Sequence, residues 1–252
     1  MDIINNRHKY KVIICAFACL TVQKYRDQVM KIRETWYKRA LKKNMLVLFF
    51  LGEEQTDLVG PEYIYLKGVN NDYESASIKQ NLGIKYIIDN YDFDFIRICD
   101  TDSFLVIDNL EKLLDNYDPN DNIAIGGHGC HRIIDGESIY YLSGGPGILL
   151  SNKSCMLLYE YLENMFKNWK IKCIEQNNDY LITACDVAIC YYLQKKTNTK
   201  LLKEDDKFFH CNYYGYPCHI GKVDDNKIVG CHCMSLYDFD KFQEILKSRN
   251  MC

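Results

Sequence analysis

The stretch FDFIRICDTDSFLVI, residues 93–107, runs apolar with one charged interruption at Arg97 and then presents Asp100 and Asp102 where a buried strand should meet solvent. In an open α/β sheet, ligands bind outside the carboxyl ends of the strands, and an Asp-x-Asp pair there can grip a hard divalent cation through oxygen ligands. A polar turn with Asp102 capping a helix accounts for the same residues, and an isolated acidic pair has little specificity. Asp186 opens the apolar helical run DVAICYYL, where a carboxylate serves either as a general base or as a helix cap. The glycines of SGGPG, residues 143–147, let a backbone approach a ligand closely, or simply turn. Two tail histidines, His232 in VGCHCM and His210 in FFHCN, carry the chemistry of a cation ligand or of a satisfied structural histidine. A structural zinc site built from His210, Cys211, Cys218, His219, Cys231 and Cys233 is disfavoured. The spacing lacks a Cys-x-x-Cys pair, and a Cys-x-Cys pair on a strand points both side chains to one face.

Strands and helices must alternate to bring these residues together. The pattern predicts strands over Val12–Cys19, Met45–Leu51, Tyr63–Leu66, Asp94–Cys99 and Ile123–Gly127, with a further apolar segment at Tyr140–Leu142 running into the glycines. Helices are expected over Lys24–Lys42, Asp72–Asn90, Asp108–Asn116, Asn152–Asn168, Asn178–Lys195 and Tyr237–Lys247. This alternation favours an α/β layered fold with a mostly parallel sheet. No linker or repeat divides the 252 residues, so one domain is expected over the whole chain, with residues 1–11 as a flexible tail.

The formal net charge of −3 and the lack of a long basic run give no electrostatic argument for nucleic acid, which leaves a small molecule or a sugar chain as the partner. Thirteen cysteines without regular spacing, several inside apolar runs, read as mostly free and reduced. The basic residues of Arg7–Lys11 and the apolar Val12–Leu20 mimic a signal peptide, but the run is too short to span a bilayer and a first strand explains it. The expectation is therefore a cytoplasmic protein without a membrane anchor.

In order, RETW (33–36), NDYESASIK (71–79), DTDSFL (100–105), YLSGGPGILLS (141–151), ACDVAICYYL (184–193) and VGCHCM (229–234) form a series. It resembles the Fringe and core 1 galactosyltransferase branch of the inverting β1,3-glycosyltransferases, across roughly Val12 to Lys247. That resemblance implies a GT-A-type fold and transfer of a sugar from a UDP-sugar donor to a glycan or glycoconjugate hydroxyl. It implies Asp186 as the base. It places Asp100, Asp102 and His232, with His210 as the second choice, around Mn2+ or another divalent cation such as Mg2+. It places Thr21, Arg33, Asp72, Tyr73, Lys79, Asp100, Thr101, Gly144 and Gly145 at the donor. Three positions depart from the family pattern: Thr101 replaces a middle Asp, Cys185 replaces an acid before Asp186, and Pro146 replaces a small Ala. Two rivals are a haloacid-dehalogenase-type phosphatase with Asp100 as nucleophile, and a catalytically inactive sugar-binding protein of the same fold.

Overall fold

In the first strand, β1 (Lys9–Phe17), Val12, Ile14 and Ala16 point to one face and Ile13 and Cys15 to the other, and all five are buried. A strand apolar on both faces needs a layer of helices on each side. The computed structural model describes residues 8–53, 59–127, 129–209, 226–232 and 234–248. In chain order the next elements are α1 (Gln23–Glu34), α2 (Tyr37–Lys42), β2 (Met45–Leu51), β3 (Tyr63–Tyr65), α3 (Ser75–Asn90), β4 (Asp92–Asp100), β5 (Phe104–Leu105) and α4 (Ile107–Leu114). They are followed by β6 (Ile123–Gly126), β7 (His131–Ile134), β8 (Glu137–Tyr140), β9 (Ile148–Ser151), α5 (Asn152–Leu162), α6 (Met165–Glu175), a 3-10 turn at Asp179–Leu181 and α7 (Cys185–Lys195). The described chain closes with β10 (Lys200–Lys203), β11 (Phe208–Phe209), β12 (Gly230–Cys231) and α8 (Leu236–Ser248).

The central sheet has the order β10-β6-β9-β4-β1-β2-β3. Its pairings are parallel except for β9, which runs antiparallel to both β4 and β6. Ile32 of α1, Ala40 of α2, Leu110 of α4 and Phe242 of α8 bury one face. Ile84 of α3, Leu158 of α5, Trp169 of α6 and Ile189 of α7 bury the other. The mostly parallel α/β architecture expected from the sequence is therefore present.

Three expected helices are broken. The run Lys24–Lys42 divides at Thr35, whose hydroxyl donates to the Lys31 carbonyl at 2.8 Å and competes with the helix ladder, while the next residue, Trp36, turns into the core. The run Asn152–Asn168 ends at Leu162, and a new helix, α6, starts at Met165 so that Met165 and Trp169 can be buried. The run Asn178–Lys195 begins as the 3-10 turn, tied down by the Trp169 indole N–H on the Leu181 carbonyl at 2.8 Å, and becomes helical only at Cys185. The described cysteines from Cys15 through Cys190 are free, in line with the sequence reading. Among the described residues, no helix is long and apolar enough to cross a membrane.

Candidate active site

β4 is flanked by β1 and β9, and its last residue, Asp100, emerges at the carboxyl edge of the parallel strands, the usual ligand-binding edge of an open α/β sheet. The turn that follows carries Thr101 and Asp102 before the chain enters β5. There β5 pairs antiparallel with β12, and β12 pairs with β11, forming a small second sheet of three strands. This sheet delivers His232. Its backbone N–H donates to the Phe209 carbonyl at 2.9 Å, and Met234 N–H donates to the Asp102 carbonyl at 3.0 Å, so histidine and acidic turn are stitched to each other.

His232 Nε2 lies 3.7 Å from an Asp100 oxygen and 3.2 Å from Asp102 Oδ1. One ligand atom from each of Asp100, Asp102 and His232 falls within 4.8 Å of the others. Asp102 Oδ1 is shielded from solvent and accepts no hydrogen bond, a condition that normally costs free energy and that a cation would relieve. Two carboxylate oxygens and one imidazole nitrogen form a donor set that suits a divalent ion of the Mn2+ or Mg2+ type. The residues therefore fit a metal, and Asp100, Asp102 and His232 would hold it. Desolvation first, then the Asp102 charge, pushes the Asp100 carboxyl up to about 7, with His232 acting in the opposite direction and Asp186 adding to the rise. His210, the second expected histidine ligand, lies outside the described residues, as do Cys211, Cys218, His219 and Cys233.

A cleft of about 410 Å³ opens beside this group. Asp100, Thr101, Asp102 and His232 form its floor, and Asp72, Tyr73 and Lys79 form one wall. Asp72 Oδ1 accepts from the Ser75 hydroxyl at 2.7 Å and from Ser75 N–H at 2.8 Å, which holds its carboxyl below the usual range and orients the first turn of α3. Tyr73, 77% exposed, presents its ring at the mouth. Lys79 is buried, and its ammonium donates to the Ala18 carbonyl at 2.8 Å and to Asn71 Oδ1 at 2.5 Å, so it braces the end of β1 against the α3 entry. The Thr101 hydroxyl donates to Gln28 Oε1 at 2.7 Å and locks the acidic turn to α1.

The sequence reading missed another part of the lining, which comes from the β1–α1 connection, Ala18 and Cys19, and from the first turns of α1, Lys24, Tyr25 and Gln28. The available signal was positional, because this connection follows the carboxyl end of the strand beside β4. Four expected donor residues, Thr21, Arg33, Gly144 and Gly145, stand apart from the cleft lining. The Thr21 hydroxyl lies 3.2 Å from Cys19 Sγ. Arg33 pairs with Glu62 and donates to the Tyr63 hydroxyl at 2.9 Å, at the far end of α1.

The glycine segment packs behind the His232 ring. Gly145 passes so close to His232 that a Cβ there would lie 2.5 Å from the ring's Cγ and closer still to Nδ1 and Cε1. Only glycine permits that approach. The Ser103 hydroxyl fixes the Gly145 carbonyl at 2.6 Å. Gly144 N–H donates to Asp186 Oδ2 at 3.0 Å, and Val187 N–H donates to Asp186 Oδ1 at 2.8 Å. Asp186 is thus the second residue of α7 and not its cap, a position held by Ala184. Its carboxylate clamps the helix start to the glycine loop, within electrostatic reach of Asp100.

No protein-family model matches this chain. Its fold does match solved structures. A glycosyltransferase involved in the glycosylation of the major capsid of PBCV-1 aligns at a TM-score of 0.54 and 12% identity over 93% of this chain and 99% of that one. The galactosyltransferase LgtC, in complex with donor and acceptor sugar analogues, aligns at 0.55 and 13% over 96% of this chain and 100% of that one. The glycosyltransferase GlyE of Streptococcus pneumoniae TIGR4 aligns at 0.53 and 12% over 97% of this chain, which spans 64% of GlyE. At such identities the likeness establishes architecture: the chain has the GT-A-type glycosyltransferase fold.

Proposed function

We propose that this protein is a metal-dependent glycosyltransferase that moves a sugar from a UDP-sugar to a glycan or glycoconjugate hydroxyl. The observation that carries the reading is the convergence of Asp100, Asp102 and His232 on the floor of a nucleotide-sized cleft in this fold. A divalent cation bound there supplies a Lewis acid for the diphosphate leaving group. Tyr73 and Tyr25 offer rings, and Asp72 a carboxylate, to the nucleoside at the cleft mouth, while Lys24 adds a positive charge for the phosphates. Gly144 and Gly145 let Asp186 and His232 pack directly against the loop backbone, which sets the base beside the cation site.

Transfer is proposed to invert the anomeric centre, and the Fringe-like motif order favours a β1,3 bond. An acceptor hydroxyl attacks the anomeric carbon, Asp186 takes its proton, and the bond from that carbon to the diphosphate oxygen breaks with its electron pair leaving on UDP. The clamp on Gly144 and Val187 fixes the direction of the carboxylate. One observation favours a second reading, a nucleotide-sugar-binding protein without transfer: both Asp186 oxygens already accept a backbone N–H.

Calorimetry with UDP, with and without manganese, combined with UDP release across a panel of nucleotide sugars, tests the proposal. UDP should bind far more weakly after chelation, and Asp102→Ala should mimic chelation. Metal-independent UDP affinity would refute the cation site, and metal-dependent binding without UDP release from any donor would select the binding-protein reading.

A further inference from the structure

Arg97 is the charge that β4 does not need in order to be a strand. It is 0% exposed, and its guanidinium lies 5.1 Å from the centre of the Phe208 ring. Nη2 donates to the Pro146 carbonyl, whereas Nε and Nη1 are buried without a hydrogen-bond partner. Burial lowers its pKa to about 10, so the group stays charged at neutral pH. Among the described residues no carboxylate pairs with it. A buried cation in that condition opposes folding, and an apolar side chain of similar volume in its place is often neutral or stabilising.

What the guanidinium does is occupy space that two glycines leave open. A Cβ at Gly147, whose φ is +92°, would sit 2.8 Å from Nη2. A Cβ at Gly230 would run into Nη2 and sit 2.7 Å from the Pro146 carbonyl oxygen. Gly147 belongs to the loop whose Gly145 backs the His232 ring, and Gly230 lies two residues before His232 on β12. One side chain therefore fixes both the loop behind the imidazole and the strand that bears it.

We propose that Arg97 is a positioning residue, which holds His232 against Asp100 and Asp102 by gathering Pro146, Gly147 and Gly230 around a single guanidinium, at the expense of fold stability. This rests on the reading that those three side chains hold a cation. The prediction that separates it from a structural role is that metal affinity and stability move in opposite directions.

The test measures Mn2+ binding to the full chain through the electron paramagnetic resonance signal of free Mn2+, beside melting temperature, for wild type, Arg97→Met, Arg97→Lys and His232→Ala. Arg97→Met should melt at or above the wild-type temperature and bind Mn2+ about 10-fold or more weakly, the usual loss when a residue supporting a ligand is removed. Arg97→Lys, which keeps stem and charge but not the planar fork, should show the same Mn2+ loss and keeps the test available if the Met variant does not fold. Folded variants that bind Mn2+ within about twofold of wild type would overturn the proposal. Loss of the fold in both variants would overturn it too, since the arginine would then be a stability element. A wild-type chain that binds no Mn2+ refutes the cation reading instead, so the two failures are distinct.

Discussion

Replacing Gly145 by alanine should disable the cation site from behind. The new Cβ would lie 2.5 Å or less from three atoms of the His232 ring, where carbon contacts settle at about 3.5–4.0 Å. On its other side the ring faces Asp100 and Asp102, at 3.7 and 3.2 Å from Nε2, so ring or loop must shift by roughly 1 Å. The loop is poorly free to give way. Ser103 holds the Gly145 carbonyl at 2.6 Å, and Gly147 N–H closes the turn on the Gly144 carbonyl at 2.9 Å. Gly145 is not among the residues of positive φ, so the expected effect is steric and not backbone strain. Metal sites tolerate errors of about 0.2 Å in ligand distance, and a 1 Å shift therefore removes the imidazole as a ligand. Mn2+ affinity should fall by about 10- to 100-fold. The overpacking should cost about 1–3 kcal/mol, a melting-temperature drop of several degrees. Mn2+ titration followed by electron paramagnetic resonance, beside thermal melting, gives both quantities. A folded Gly145→Ala protein with wild-type Mn2+ affinity would refute the placement of His232 in the site.

Asp186→Asn should lower sugar transfer by about 10²–10⁴-fold, because an amide cannot accept the acceptor's proton, while UDP affinity is retained. Asn offers one oxygen to the two N–H groups that Asp186 now satisfies, so melting should also fall by an amount equivalent to about 1–3 kcal/mol, and near-wild-type transfer would show that the carboxylate is only a clamp. The Asp100 carboxyl, raised to about 7, must lose its proton to bind metal, so Mn2+ affinity should rise with pH below about 7 and level off above it. The same raised value means that the metal-free folded chain binds more protons than the unfolded chain between the ordinary carboxylate pKa and about 7, so this group's contribution to stability falls as pH rises through that window. Mn2+ titrations and melts from pH 5 to 8 check both signs, and a flat affinity profile would contradict the raised value.

The sequence alone determined the α/β layering, because runs apolar at every position demand helices on both faces, and it located the acidic turn at the end of such a run. It also marked the glycine segment and His232 as partners of that turn through motif order. Tertiary structure decided what each residue touches. Lys79 was expected at the donor, and it does line the cleft, yet packing turns its ammonium onto Ala18 and Asn71. Asp186 read as a base or a cap, and neither reading foretold that its second oxygen meets Gly144, 42 residues earlier. Arg33 was legible as a basic residue in a motif, but its partners Glu62 and Tyr63 lie at the start of β3, whose place beside β2 no local pattern records. The β1–α1 wall of the cleft escaped notice for the same reason. Local periodicity reports which side of an element is buried, whereas a site depends on which elements become neighbours, and that follows from strand order and crossover, which bring Asp102 and His232 together across 130 residues.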